Sequence, residues 1–298
     1  MSRRGQRSGR SRTITAAAIR ASERQAASGA DPGRTGVVSL QRSLEILRSF
    51  QPEDGPLSRH EIAQRTGLPN TTVMRLIHTL VTLGYLSRVG PHRGYRPGPS
   101  VLAIGHSLIE ALLFRRIARP LMQQFAVQFD AWTTLATAER DMMLVLEHVA
   151  PPHAPDLQIR SGSLLPMDST ALGRAYLWGL APEYRTECLR NISYDPRTAE
   201  RKLRAGLSTA FAELDRDGFC TAFGTWRRDV LAAGTPIVIG DGSHVGLHVG
   251  SHVLALACGN TTLAINARIL VERHGPALLR TATEIKNSLL QSGFQEDL

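Results

Sequence analysis

Between Leu57 and Arg96 the apolar positions change from helical to strand spacing. Val73, Leu76, Ile77, Leu80 and Leu83 recur at i, i+3, i+4 and i+7, which at about 100° per residue places them on one stripe of a helix. Thr71, Met74, Arg75 and His78 fall on the opposite side, and Asn70 and Thr72 flank its first turn. Upstream, Ser58 is placed to cap a shorter helix, with Glu61 in the capping-box position, Ile62 and Ala63 facing inward and Gly67 ending it. Leu68 and Pro69 make a tight turn, with Pro69 suited to the first position of the second helix, where its missing N–H costs nothing. Tyr85–Val89 and Tyr95–Arg96 read as two strands joined by Gly90-Pro91-His92-Arg93-Gly94.

Helix, turn, second helix and basic hairpin in this order predict a winged helix-turn-helix. The exposed side of the second helix carries short hydrogen-bonding groups, an apolar contact and a forked guanidinium, which suit base edges and phosphates in a major groove. The candidate DNA contacts are Ser58, Asn70, Thr71, Thr72, Met74, Arg75, His78 and, in the wing, Arg93.

Beyond Ser100, the apolar residues Val101, Leu102, Ile104, Leu108, Ile109, Leu112 and Leu113 predict a helix running towards Pro120 that is apolar on too many sides for a monomer. A linker that doubles as a dimer seam follows, with two readers on a two-fold axis meeting inverted half-sites as a homodimer, or a homotetramer built as a dimer of dimers. Further on, Trp132–Ala138, Met142–His148 and Leu157–Arg160 read as strands, and Thr170–Leu180, Ser208–Asp217 and Ile269–Leu290 as helices, giving an α+β domain. The expected organisation is a disordered Arg-rich tail over 1–36, the reader over 37–99, the linker over 100–119 and the α+β domain over 120–298.

Charge sharpens this division. Residues 1–36 hold eight Arg against two acids and residues 37–100 eight Arg against four, so the net charge of +9 lies with the reader and its tail. The tail is either a solvated extension or an arm that grips polyanions without reading sequence. The run Ile14–Ile19, interrupted by Arg20, is too short for the apolar core of an export signal. Three cysteines, Cys188, Cys220 and Cys258, without CxxC spacing support neither a disulfide framework nor a cysteine zinc site, and a cytoplasmic location is expected. No cofactor or metal is called for.

Gly242–Val249 (GSHVGLHV) and Gly250–Ala257 (GSHVLALA) form a tandem repeat, read as a local duplication that lengthens a hairpin after Pro236–Ile239, with Gly240-Asp241-Gly242 as its turn. His244, His248 and His252 would chelate an ion on a helix. The glycines and valines argue for strand, where residues four apart stand about 13 Å from one another, too far to share an ion held at about 2 Å.

The chain resembles the IclR family of bacterial transcription regulators over about residues 37–291. The resemblance rests on SLQRSLEILRSF (Ser39–Phe50), TGLPNTTVMRLIHTLVTLGYL (Thr66–Leu86), YRPGPSVLAIG (Tyr95–Gly105), LPMDSTALGRAYL (Leu165–Leu177), FGTWRRDV (Phe223–Val230) and RHGPALLRTATEI (Arg273–Ile285). It implies that the linker helix leads to a GAF-like effector-binding domain with a six-stranded sheet, which binds a small acidic or aromatic metabolite and modulates operator binding. The effector positions it implies are Thr170, Ala171, Leu172 and Gly173 on the loop and helix start, and Ala222, Val230, Leu256 and Cys258 on facing strands. Trp226 is either a wall of that pocket or core. Ser169-Thr170 either simply caps a helix or leaves N–H groups to bind a carboxylate. Ala222, Val230 and Leu256 stand where family members often carry polar groups, which disfavours a two- or three-carbon acid.

Two other classes of function compete. One is an enzyme using Cys220 or Cys258 with a nearby histidine; cysteine nucleophiles need a paired base and a depressed pKa, and no nucleophile-elbow, phosphate-loop or metalloprotease motif is present, so no catalytic residue is named. The other is a nonspecific architectural DNA binder, for which the basic tail would be the main device.

Overall fold

The computed structural model describes residues 36–51, 54–90, 94–154, 156–192, 199–240, 247–248 and 251–292. The tail expected over 1–36, apart from Gly36, lies outside the described residues, as do Arg93 in the wing and His244 in the repeat. The chain forms two compact units that part between Ala111 and Leu112.

The first unit packs helices α1 (Val38–Arg48), α2 (Arg59–Thr66) and α3 (Asn70–Thr82) beside a hairpin of β1 (Leu86–Arg88) and β2 (Tyr95–Pro97), and ends in α4 (Pro99–Ala111). Ser58 accepts a hydrogen bond from the Glu61 N–H while Glu61 accepts one from the Ser58 N–H, closing the capping box. Gly67 ends α2 in the left-handed region, at φ 70°. Pro69 stands at the N-cap of α3, one place before the expected first position. Ile46, Ile62, Val73, Ile77, Leu80 and Leu86 form the core of this unit. Leu83, expected on the buried stripe, is exposed because α3 ends at Thr82 and Leu83 caps it.

Arg65 pins this core from the rim. Its guanidinium donates to the Ser49 carbonyl at 2.8 Å and holds Asp54 through Nη2 to Oδ1 at 2.8 Å. Hydrogen bonding to Arg65 keeps the Asp54 carboxyl below its ordinary value, so its stabilising contribution is full above about pH 4 and is lost as the pH falls through that lowered value. Arg65→Ala is expected to cost about 1–3 kcal/mol, read as a loss of hydrogen-exchange protection in α1 and α2 of the intact chain at pH 7.

The linker expected as one helix over 100–119 is two. α4 ends at Ala111, and after Leu112 (φ −78°, ψ 88°) α5 (Leu113–Phe129) begins as part of the second unit. No described residue of α4 is buried: Leu102 is 75% exposed, Ile104 58% and Leu108 52%.

The second unit is an antiparallel sheet with helices on both faces. Its strands are β3 (Trp132–Glu139), β4 (Met142–Val149), β5 (Leu164–Pro166), β6 (Cys220–Phe223), β7 (Val230–Ile239), β8 (Leu247–His248) and β9 (Ser251–Thr261). The order β5-β4-β3-β9-β7-β6 gives the six-stranded path, and β8 pairs with β9 beside it. Leu157–Arg160, expected as a strand, is not one: Gln158 takes φ 59°, which breaks the extended run, although Leu157 and Ile159 still bury their side chains. Helices α6 (Ala171–Gly179), α7 (Pro182–Asn191) and α8 (Ala199–Asp217) contribute to the core on one face. On the other lie α5 and the C-terminal segment, which runs through the short α9 (Ala267–Ile269) and a π-turn at Leu270–His274 into α10 (Gly275–Gln291). Buried Glu147 of β4 is held by Arg115 at 2.5 Å and Arg119 at 3.0 Å, both from α5, so its charge is paired.

The repeat divides between two roles. The second copy supplies β9, whose Val253, Ala255 and Ala257 enter one core and whose Leu254, Leu256 and Cys258 enter the other. The first copy contributes β8 to the connection after β7. The turn expected at Gly240-Asp241-Gly242 lies outside the described residues from Asp241 on.

Candidate functional site

Two places carry the candidate chemistry. On α3, burial of Val73, Ile77 and Leu80 turns Asn70, Thr71, Met74, Arg75 and His78 outward, with Thr72 half-buried at the edge. Arg59, at the start of α2, reaches this face and points Nη1 at the Met74 sulfur at 3.4 Å. Sequence reasoning missed Arg59, because its approach spans two helices. The Ser58 hydroxyl is occupied by its cap, so its part at this face is to start α2. In the hairpin, Ser87 pairs with Arg96 and Arg88 with Tyr95, which adds Arg88 and Arg96 to the exposed cations.

The second place is a cavity on the α6 side of the sheet. Its floor follows one row of the antiparallel ladders, in which Trp132 pairs with Gly259, Gly259 with Ala232 and Ala232 with Ala222. Small side chains in that row leave the space, and Ala257 and Val230 extend the floor. Ile159 and Leu165 close one side. Thr170, Ala171 and Leu172 close another at the N-terminus of α6, where the Thr170 hydroxyl accepts from the Gly173 N–H and donates to the Pro166 carbonyl. The segment Thr225-Trp226-Arg227, whose Thr225 is exposed, also lines the cavity and is tied down by a Thr225 hydroxyl bond of 2.6 Å to the Ser169 carbonyl. The enclosed volume is about 30 Å³, room for about one water against the ~300–1,000 Å³ of ligand-filled pockets.

Of the expected effector residues, Thr170, Ala171, Leu172, Ala222, Trp226 and Val230 line this cavity. Gly173 stands just behind, packed on the Met167 carbonyl. Leu256 and Cys258 do not line it. Thr134 faces the cavity and pairs with Ala257, whereas Leu256 pairs with Leu135 and, like Cys258, enters the core on the opposite side of the sheet. The two expected positions on β9 are thus one residue out of phase with the cavity face, and a single step on a strand reverses the face.

Trp132 and Thr134 were also missed as lining residues, although Trp132–Ala138 reads as a strand. The Thr134 hydroxyl sits 2.8 Å from His148 Nδ1, and burial lowers the His148 pKa to about 4, leaving the ring neutral near pH 7. Trp132 is 5% exposed, and its indole Nε1 has no hydrogen-bond partner among the described residues. Arg227 stands at the mouth, 5.7 Å over the Trp226 ring and paired with Asp229 at 3.3 Å.

Burial pushes the Cys220 thiol up to about 12 and raises Cys258 as well, the reverse of what a cysteine nucleophile needs. Among the described residues no group of three His, Cys, Asp or Glu side chains is placed to hold a metal ion, and no helix is long and apolar enough to cross a membrane.

Comparison with known proteins matches the IclR helix-turn-helix domain over residues 39–90 and the C-terminal domain of the bacterial transcriptional regulator IclR over residues 106–250. The HTH-type transcriptional regulator TsaQ1/TsaQ2 of Comamonas testosteroni is 32% identical across 68% of this chain and 74% of its own length. A crystal structure of an IclR family transcriptional regulator from Brucella abortus is 32% identical, covers 87% of this chain and 95% of its own, and superposes with a TM-score of 0.78. An IclR homologue from Microbacterium hydrocarbonoxydans, solved with 4-hydroxybenzoate, shares the fold at 24% identity and a TM-score of 0.65, over 85% of this chain and 99% of its own. With both domain matches in chain order and the reader and the covered sheet in place, the chain belongs to the IclR family of bacterial transcription regulators and joins a helix-turn-helix DNA-binding domain to an effector-binding domain.

Proposed function

We propose that the exposed face of α3 reads the operator and that the cavity beside Thr225–Arg227 binds a small aromatic acid that alters that reading. The observation that carries the effector half is the composition of the cavity: an apolar floor and walls beside a helix N-terminus and an arginine. The Thr170 hydroxyl takes the Gly173 N–H and its carbonyl the Arg174 N–H, which leaves the N–H groups of Ala171 and Leu172 as the helix-end donors for a carboxylate. Entry of a ring displaces Thr225–Arg227 and breaks its bond to Ser169, so binding is coupled to movement of that segment. Asn70, Thr71, Thr72, Met74, Arg75 and His78 are the proposed contacts on α3, with Arg93 a further one in the wing. The proposed linker is α4, whose exposed Leu102, Ile104 and Leu108 form the seam of a dimer. Catalysis plays no part in this reading.

Fluorescence anisotropy of the intact chain on its own upstream intergenic duplex and on a scrambled duplex, with and without benzoate, tests the proposal. Benzoate is expected to shift affinity for the upstream duplex about tenfold or more in either direction and to leave the scrambled duplex unchanged. Ala222→Trp, which fills the floor of the cavity, should remove the benzoate response and retain duplex preference. A response that survives Ala222→Trp, or no response to benzoate at all, overturns the ligand assignment.

A further inference from the structure

Two polar groups on the cavity side of β3 are not accounted for by a carboxylate at the helix end. Trp132 lies across the sheet: its Cζ2 is 2.5 Å from where a Cβ on Gly259 would stand, so the glycine is the seat on which the indole rests. Among the described residues the indole N–H donates to nothing, and an unpaired buried donor is unfavourable until something accepts from it. Thr134, two residues on and therefore on the same face, is fully buried and lines the same cavity. Its hydroxyl is within bonding distance of the neutral His148 ring, and a hydroxyl that donates to Nδ1 keeps its lone pairs for another donor. Within one apolar cavity, β3 therefore offers the Trp132 indole as a donor and, with the His148 proton on Nε2, the Thr134 hydroxyl as an acceptor.

A phenolic hydroxyl is a compact ligand group that both accepts and donates. We infer that Trp132 and Thr134 form a hydroxyl-recognition pair that makes the effector site selective for hydroxylated aromatic acids over their methyl-substituted counterparts. The inference rests on the reading of the cavity as the effector site and adds the feature that sets its specificity. A site with an unpaired donor discriminates against a ligand that leaves the donor unpaired, whereas apolar walls alone distinguish groups of equal size poorly.

The test compares 4-hydroxybenzoate with 4-methylbenzoate, close in size and shape, by calorimetric titration of the intact chain. The wild-type protein is expected to prefer the hydroxyl compound by about tenfold or more. Trp132→Phe and Thr134→Val should each reduce that preference to about threefold or less, through a larger loss of 4-hydroxybenzoate than of 4-methylbenzoate affinity. Trp178→Phe, which removes an indole bound to Asp215 outside the cavity, should preserve both affinities. A preference that survives both cavity variants overturns the pair while the cavity reading stands, and parallel loss of both ligands marks the two residues as structural and also overturns it. Binding of neither compound to the wild-type chain removes the cavity reading together with the pair.

The indole ¹⁵N–¹H spectrum gives a readout independent of variant folding, because the chain holds three tryptophans, Trp132, Trp178 and Trp226. The Trp132 signal, identified by elimination with Trp178→Phe and Trp226→Phe, should move downfield with 4-hydroxybenzoate and not with 4-methylbenzoate. Equal movement with both compounds counts against the pair.

Discussion

Arg75→Ala is expected to abolish the preference of the protein for its operator over a scrambled duplex. Arg75 stands exposed on α3, on the side opposite the buried Val73, Ile77 and Leu80. A fork-shaped guanidinium there can hold guanine O6 and N7 together, a contact worth about 1–3 kcal/mol of discrimination. Two such helices on the proposed two-fold site would double the loss to roughly 2–6 kcal/mol, comparable with the ~4 kcal/mol of a thousandfold preference. Nonspecific affinity should fall much less, because the exposed cations around Arg75 remain to meet phosphates. Anisotropy titration at about physiological salt separates the two effects. Arg75→Lys sharpens the comparison: it keeps the charge and loses the fork, so it should retain nonspecific binding without restoring the preference. Undiminished operator preference in Arg75→Ala would sink the assignment of α3 as the reading helix.

What was legible in the sequence follows the range of the interactions. The capping box at Ser58 and Glu61, the end of α2 at Gly67 and the stripe through Val73, Ile77 and Leu80 depend on neighbours within about a turn, and their spacing carried that information. Arg65 holding Asp54 and Ser49 spans 11 and 16 residues, and no local pattern marks it. The cavity was half legible. The LPMDSTALGRAYL motif led to Thr170–Leu172, but the choice between Leu256 and Ala257 depends on the ladder between β3 and β9, which pairs Thr134 with Ala257. Because side chains alternate at a period of two, a correct strand with a one-residue error in phase put Leu256 and Cys258 on the wrong face. The row of Ala222, Ala232 and Gly259 beside Trp132 is assembled from four strands, so the space it leaves has no signature in any one segment. Gln158 was misleading for a different reason. Its neighbours Leu157 and Ile159 alternate like a strand, yet a backbone turned to positive φ carries no ladder.

Gly234→Ala is expected to lower the melting temperature and to remove effector binding together. Gly234 lies in β7 across from Cys220, and a Cβ there would stand 2.4 Å from the carbonyl oxygen of Ala171, far inside contact distance. The obstacle is backbone at the first residue of α6, not the end of a flexible side chain, so either the helix or the strand must shift. Overpacking of this kind costs about 1–3 kcal/mol, occasionally more. For a domain of this size that corresponds to a fall of roughly 2–12 °C. The same shift lifts Ala171 and Leu172 from the cavity edge and misplaces the N–H groups proposed to meet the carboxylate, so benzoate binding by calorimetry should disappear even at temperatures where the domain remains folded. Gly55→Ala supplies the contrast. Nothing lies within 4 Å of a Cβ at exposed Gly55 and its φ is not in the left-handed region, so alanine should leave the melting temperature unchanged or raise it slightly by restricting the unfolded chain. A Gly234→Ala protein that melts like wild type and binds benzoate would show that α6 does not need this close approach to form the site; one that melts lower yet binds normally would separate the helix start from ligand recognition and leave Arg227 as the proposed partner of the carboxylate.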